Sequence, residues 1–213
     1  MAFKRFLQAA AVAMAFLAFE LPASAEPVRI VGLGDSLMAG YGLGPGEAFP
    51  DKLQAALRRM GHDVVIDNAG VSGDTSSGGL SRLDWSVPDG TAIVILELGA
   101  NDMLRGIEPA ITEKNLDAMV ARLRERGIAV LLAGMRAAPN LGPEFAAQFD
   151  PIYERIATTH GTALLPFFLD GVAADPNYLL ADGMHPNASG VDVMVDRALP
   201  FVERLLGEAG KAS

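Results

Sequence analysis

Short apolar runs recur along this chain at residues 28–33, 64–66, 92–98 and 128–133, with a weaker one at 163–165, and several show no polar alternation. Strands of that kind are buried on both faces, which happens where helices cover a parallel sheet from above and below. The segments between the runs have helical spacing. Over residues 49–60, Phe49, Leu53, Ala56, Leu57 and Met60 form one face, and Gly61 follows as a stop signal. Over residues 115–126, Leu116, Met119, Val120 and Leu123 do the same, with Gly127 after them. The last long segment, 189–206, turns Val191, Met194, Val195, Leu199, Val202, Leu205 and Leu206 toward a core, and Pro200 inside it predicts a kink. This alternation predicts an α/β fold with a largely parallel sheet between two helical layers.

In such sheets ligands bind beyond the carboxyl ends of the strands. Four polar, glycine-containing segments, 34–46, 68–79, 99–106 and 182–187, follow strand candidates or precede the final helix and are expected to converge on one site. A chain of 213 residues, half of them apolar, is long enough to bury one substantial core. Residues 1–25 stand apart: Lys4 and Arg5 form a basic start, an apolar stretch runs to Phe19, and Ala23-Ser24-Ala25 is a small-residue cleavage site. This is the pattern of a secretory signal peptide, so residues 26–213 are expected to be a single exported domain, periplasmic or extracellular after cleavage near Ala25. No later segment approaches the ~20 apolar residues of a membrane-spanning helix.

The formal charge is −9, and losing Lys4, Arg5 and Glu20 with the leader makes it one unit more negative. A field of that sign repels polyanions, which argues against nucleic-acid binding. With no cysteine, neither disulfides nor thiolate chemistry is available, and no His-Glu-x-x-His pattern suggests a metal. No cofactor and no obligate protein partner is implied.

Within this frame, Gly34-Asp35-Ser36-Leu37 places a serine where the first apolar run ends, and Asp182-Gly183-Met184-His185-Pro186 supplies a carboxylate and an imidazole near the other end. A serine hydroxyl is a weak nucleophile until a base reaches it and a third group orients that base. Among three histidines, His62 follows a helix-ending glycine and His160 sits at another helix end, which leaves His185 as the candidate base. Asp182 can fold back to Nδ1 of His185, leaving Nε2 to face Ser36. Acyl transfer also needs donors for the oxygen that becomes negative, and the candidates are the Ser36 and Gly73 amides and the Asn101 side chain. Glu97, inside an apolar run, is expected to be a buried carboxylate satisfied by backbone donors. Asn187-Ala188-Ser189 is read as a helix start rather than a glycosylation acceptor.

Gly34-Asp35-Ser36-Leu37, Gly73, Asn101 and His185 resemble the four sequence blocks of the SGNH, or GDSL, hydrolases. The resemblance extends through 39–43, 68–74, 79–85, 97–99, 104–106 and 182–187, and is strongest to the secreted bacterial subgroup of thioesterases, lysophospholipases and arylesterases. It implies a flavodoxin-like three-layer α/β/α sandwich with a sheet of about five strands, no metal, and a fatty-acyl ester or thioester as substrate. It also implies Ser36 as nucleophile, Asp182 and His185 completing the triad, and Ser36, Gly73 and Asn101 as oxyanion donors. Ala100 and Met103 stand where that pattern has glycines, and Met38 where it has threonine. Met103, Leu104, Arg105, Met135, Arg136 and Pro139 are candidate pocket residues, with loop 135–143 bordering the acyl groove, moving on binding, and Arg105 or Arg136 meeting an anionic head group.

Other activities fit less well. A dinucleotide turn lacks its third glycine, since Leu37 occupies that place, and an ordinary α/β-hydrolase elbow lacks its second, since Met38 does. A carbohydrate O-acetyl esterase is the alternative enzyme, although a sugar cleft calls for aromatic platforms and the chain has one tryptophan and three tyrosines. A non-catalytic lipid-binding protein would not need the full set of nucleophile, base and acid.

Overall fold

A computed structural model describes residues 26–212, so the predicted signal peptide lies outside the described residues. The five apolar runs become β1 (Val28–Gly34), β2 (Val64–Gly70), β3 (Thr91–Glu97), β4 (Ala129–Ala133) and β5 (Ala163–Leu165). All pair in parallel, in the order β2-β1-β3-β4-β5. Strands β1, β3 and β4 are buried almost throughout, which is why their sequences show no alternation.

Between them run α1 (Ser36–Ala39), α2 (Phe49–Arg59), α3 (Ser76–Ser81), α4 (Leu83–Ser86), α5 (Ala100–Leu104), α6 (Pro109–Glu125), α7 (Pro143–Phe149), α8 (Ile152–His160) and α9 (Ala188–Ala212). Helices α2 and α9 pack against each other over one face of the sheet, and α6, with α3 and α8 beside it, covers the other. The result is the expected three-layer α/β/α arrangement. Helix α2 buries Phe49, Leu53, Ala56 and Leu57, and the Phe49 ring meets Phe168 edge-on at 4.8 Å. Met60, assigned to the same face by its spacing, is the residue that ends α2 and is half exposed.

Helix α6 starts six residues earlier than spacing alone suggests, because Pro109 at its first turn presets the helical φ and costs no hydrogen bond there. Helix α9 continues through Pro200 to Ala212. Asn187 precedes α9, and its side-chain oxygen accepts the Gly190 amide at 3.0 Å, so the sequence Asn187-Ala188-Ser189 is a helix start.

The register puts the strand ends level: Gly34 pairs with Gly70, Leu33 with Leu96, and Glu97 with Ala133. The chain moves outward from β1 to β2 and returns past β1 to β3, so the loops after β1 and β3 diverge and leave a crevice between them. Helix α1 is pressed against the end of β2. A β-carbon on Gly70 would sit 2.2 Å from the Ala39 nitrogen and 2.6 Å from its α-carbon, both backbone atoms that a rotamer change cannot clear.

Gly70→Ala is therefore expected to destabilise the fold by at least ~1–3 kcal/mol through overpacking. The check is the midpoint of urea denaturation at unchanged slope; a midpoint equal to that of the unsubstituted protein would show that α1 yields freely.

Candidate active site

Ser36 opens α1 immediately beyond β1. The Asp35 carboxylate caps that short helix, with Oδ1 accepting the Leu37 amide at 3.0 Å, and Gly40 closes it in the left-handed region. The turn is tight enough to leave the Ser36 side chain half-buried at the crevice mouth.

His185 reaches it from the far end of the chain. The loop carrying it is closed on itself: Leu180 N–H donates to the His185 carbonyl at 2.7 Å, Gly183 N–H to Leu180 at 3.0 Å, and Asn187 N–H to Tyr178 at 2.8 Å. Asp182 accepts three bonds there, from the Met184 amide at 2.9 Å, the His185 amide at 3.0 Å and His185 Nδ1 at 2.6 Å. The carboxylate fixes Nδ1 as the protonated ring nitrogen, and Nε2 then accepts the Ser36 hydroxyl at 3.0 Å. The Tyr41 ring lies 4.5 Å from the imidazole, tilted by 37°. The two backbone amides and then the imidazole hold the exposed Asp182 carboxyl down to about 2. Of the remaining histidines, His62 lies 3.7 Å from Glu203 and His160 Nε2 lies 2.7 Å from the Asp117 carboxylate, so each faces a carboxylate other than that of Asp182.

The other loops bring donors. Asn101 lies in α5 beyond β3, and its amide nitrogen donates one hydrogen to Asp35 Oδ2 at 2.9 Å, which orients the amide and leaves its second N–H free to act. Gly73, beyond β2, has φ +82°, a conformation glycine adopts without cost. Among the described residues, neither the Gly73 nor the Ser36 amide donates to a protein acceptor. The Ser36 and Gly73 amides and one N–H of the Asn101 side chain are thus left without a protein acceptor among the described residues.

Side chains that the sequence did not single out hold these loops in place. Arg82 donates to Asp74 at 2.7 Å, to the Ala69 carbonyl at 2.8 Å, to Ser86 at 2.9 Å and to the Gly34 carbonyl at 2.9 Å, joining the ends of β1 and β2 to the Gly73 turn. Buried Asp102 accepts the Ser76 amide at 2.7 Å and the hydroxyls of Ser76 and Thr112, joining α5 to α3 and α6. Long-range partners of this kind have no signal in local sequence spacing.

Glu97 departs from expectation. One oxygen accepts the Asp35 amide at 3.2 Å, but Oε1 has no partner among the described residues, so backbone donors do not satisfy it fully. Complete burial, reinforced by the Asp35 charge, raises its pKa well above the usual carboxylate range and favours the neutral acid, which needs fewer donors.

The serine opens onto a groove of about 580 Å³. Of the candidate pocket residues, Met103, Leu104, Met135, Arg136 and Pro139 line it. Arg105 does not, and its guanidinium donates instead to the Gly73 carbonyl at 2.6 Å. Arg136 lies over the Phe167 ring at 5.1 Å. Leu37, Phe167, Leu169, Leu179 and Met184 complete the wall. Phe167 and Leu169 follow the weakest strand signal, in an apolar run whose outward turn spacing does not reveal.

Residues 33–193 match the family described as the GDSL-like lipase/acylhydrolase family. Esterase TesA of Pseudomonas aeruginosa is 38% identical over 185 residues, covering 86% of this chain and 91% of that protein. Thioesterase 1/protease 1/lysophospholipase L1 of Escherichia coli is 35% identical over 165 residues, with 77% and 78% covered. The crystal structure of AlinE4, an SGNH-hydrolase family esterase, superposes with a TM-score of 0.72 at 44% identity, covering 86% of this chain and 99% of that one.

The Asp182 carboxyl has a pKa below its unfolded value near 3.9. It therefore contributes stability that is present above that unfolded value and is lost as the pH falls through about 2. A carboxyl carbon titration by NMR is expected to find Asp182 still ionised at about pH 3, one unit below the reference range. A midpoint at 4 or higher would mean that the Met184 and His185 amides do not bond it in solution.

Proposed function

The chain belongs to the GDSL-like lipase/acylhydrolase family, and from that premise we propose that it is a serine hydrolase of fatty-acyl esters and thioesters, acting through an acyl-enzyme on Ser36. The observation that carries this is one continuous relay, Ser36 hydroxyl to His185 Nε2 at 3.0 Å and His185 Nδ1 to Asp182 at 2.6 Å, at the mouth of an apolar groove. Esters, thioesters and lysophospholipids are the acyl donors suggested by the names of the relatives.

Ser36 Oγ attacks the acyl carbonyl carbon while its proton passes to His185 Nε2. The carbonyl oxygen takes the negative charge and rests against the amides of Ser36 and Gly73 and the free N–H of Asn101. The carbon–heteroatom bond then breaks as Nε2 protonates the leaving alcohol or thiol. Water, deprotonated by the same nitrogen, attacks the acyl-enzyme, and Ser36 leaves with the proton returned by His185. Asp182 stabilises the imidazolium in both halves. Because its carboxyl stays ionised down to about 2, this support is present throughout the pH range around neutrality.

The groove walls favour acyl chains over acetylated sugars. They are mainly aliphatic and methionine side chains, with Phe167 the one aromatic carbocycle among the lining residues and Arg136 lying over its ring, so a pyranose would meet few stacking surfaces. The leader-like residues 1–25 support export, with residues 26–213 as one hydrolase domain. Among the described residues no helix is long and apolar enough to cross a membrane.

On p-nitrophenyl esters, an acyl-CoA and a lysophospholipid, Ser36→Ala is expected to abolish turnover with unchanged circular dichroism. Hydrolysis surviving in that variant would overturn the mechanism, and a folded wild-type protein that cleaves none of them would favour lipid holding without catalysis. Asn101→Ala is expected to lower kcat by ~10²–10³-fold, the typical cost of one oxyanion donor. An unchanged kcat removes Asn101 from the mechanism.

A further inference from the structure

We infer that Met103 sets the acyl-size limit of this enzyme, both by filling groove volume and by clamping the loop that forms the adjoining wall. This rests on acylation of Ser36 as proposed above.

Met103 lies two residues beyond Asn101 in the same short helix, is 8% exposed, and lines the groove. Its thioether sulfur accepts the Ala138 backbone N–H at 3.1 Å, across 35 residues of sequence. Ala138 belongs to the loop that follows β4 and carries Met135, Arg136 and Pro139 into the groove wall. That loop is also bonded at its root, Gly134 N–H to the Leu165 carbonyl at 2.8 Å and Phe168 N–H to the Gly134 carbonyl at 2.8 Å. In its middle, the Ala137 N–H donates to Asp150 at 2.7 Å. The sulfur contact is the bond that ties it to the helix holding Asn101. These contacts favour a wall held in place before substrate arrives, in contrast to the movement on binding expected of loop 135–143, so that it does not retreat from a long acyl chain.

Groove volume and loop attachment rest on the same side chain. A glycine would supply neither the volume nor the sulfur, so groove depth and loop attachment would both change at one position. A thioether is a weak acceptor, but the Ala138 amide has no other protein acceptor among the described residues. Methionine also fills irregular apolar space well. Replacement by leucine keeps the volume and removes the acceptor, whereas glycine removes both.

The test is a kcat/KM profile on p-nitrophenyl esters of increasing linear chain length for the wild type, Met103→Gly, Met103→Ala and Met103→Leu, with thermal denaturation of each. Met103→Gly and Met103→Ala are expected to move the optimum to longer chains, raising the long-to-short ratio of kcat/KM about tenfold, the factor that 1.4 kcal/mol represents. Met103→Leu, which keeps the volume and frees the Ala138 amide, is expected to move the optimum less than the small-residue variants do and to lower the melting temperature; an unchanged optimum there would overturn the clamp. An unchanged optimum in whichever small-residue variant folds would overturn the size limit, and an optimum that moves equally in Met103→Leu would overturn the volume argument. Loss of hydrolysis by the wild type itself, in contrast, would refute the esterase assignment and not the role of Met103.

Discussion

The buried carboxylate of Asp35 is the point on which the site depends. One oxygen holds the Leu37 amide and so the turn that presents Ser36, and the other holds the Asn101 amide 66 residues away in sequence. The proposed nucleophile and the proposed oxyanion donor are thereby referenced to a single side chain. Burying it raises its pKa, and hydrogen bonds from Leu37 and Asn101, with the imidazole of His185, oppose the rise. Glu97 lies behind it, and the balance works because that second carboxyl favours its neutral form. Two charged carboxylates at this separation in a dry interior would be expensive. The small residue Gly34 lets the pair approach, since a β-carbon there would meet the Glu97 carboxyl at 2.5 Å.

Much of the architecture was legible in the chain. Buried parallel strands write themselves as unbroken apolar runs, and helices covering them as stripes, so the layers and most element boundaries follow from periodicity. The site was legible because Ser36, Gly73, Asn101, Asp182 and His185 each sit in short local motifs at predictable strand ends. The meeting of Ser36, His185 and Asp182 within hydrogen-bond distance follows from parallel topology, which sends every β-to-helix loop to the same edge of the sheet.

What escaped notice was encoded in pairs rather than motifs. Arg82 lies in one of the segments that carry the family resemblance, yet its spacing does not show that it joins two strand ends and the Gly73 turn. Asp102 reads as a loop residue beside Asn101, yet it fastens α5 to α3. Arg105 looked like a pocket cation and instead holds the Gly73 carbonyl. Glu97 was recognisable as buried, but its unmatched oxygen reflects the particular orientation of the neighbouring backbone. Met60 fell on the apolar stripe of α2 and is exposed only because the helix stops there.

The loop of Asp182 and His185 has a consequence for how the enzyme loses activity. Acid, base and connecting turn are bonded almost wholly to one another, so this half of the relay is a local structure that needs no distant partner for its internal geometry. One hydrogen bond, spanning 149 residues, and the Tyr41 ring against the imidazole register it beside Ser36. Slippage of α9, to which the loop is anchored, would carry the whole acid–base unit away intact. Inactivation would then be a loss of alignment between two well-ordered pieces, complete before either had unfolded.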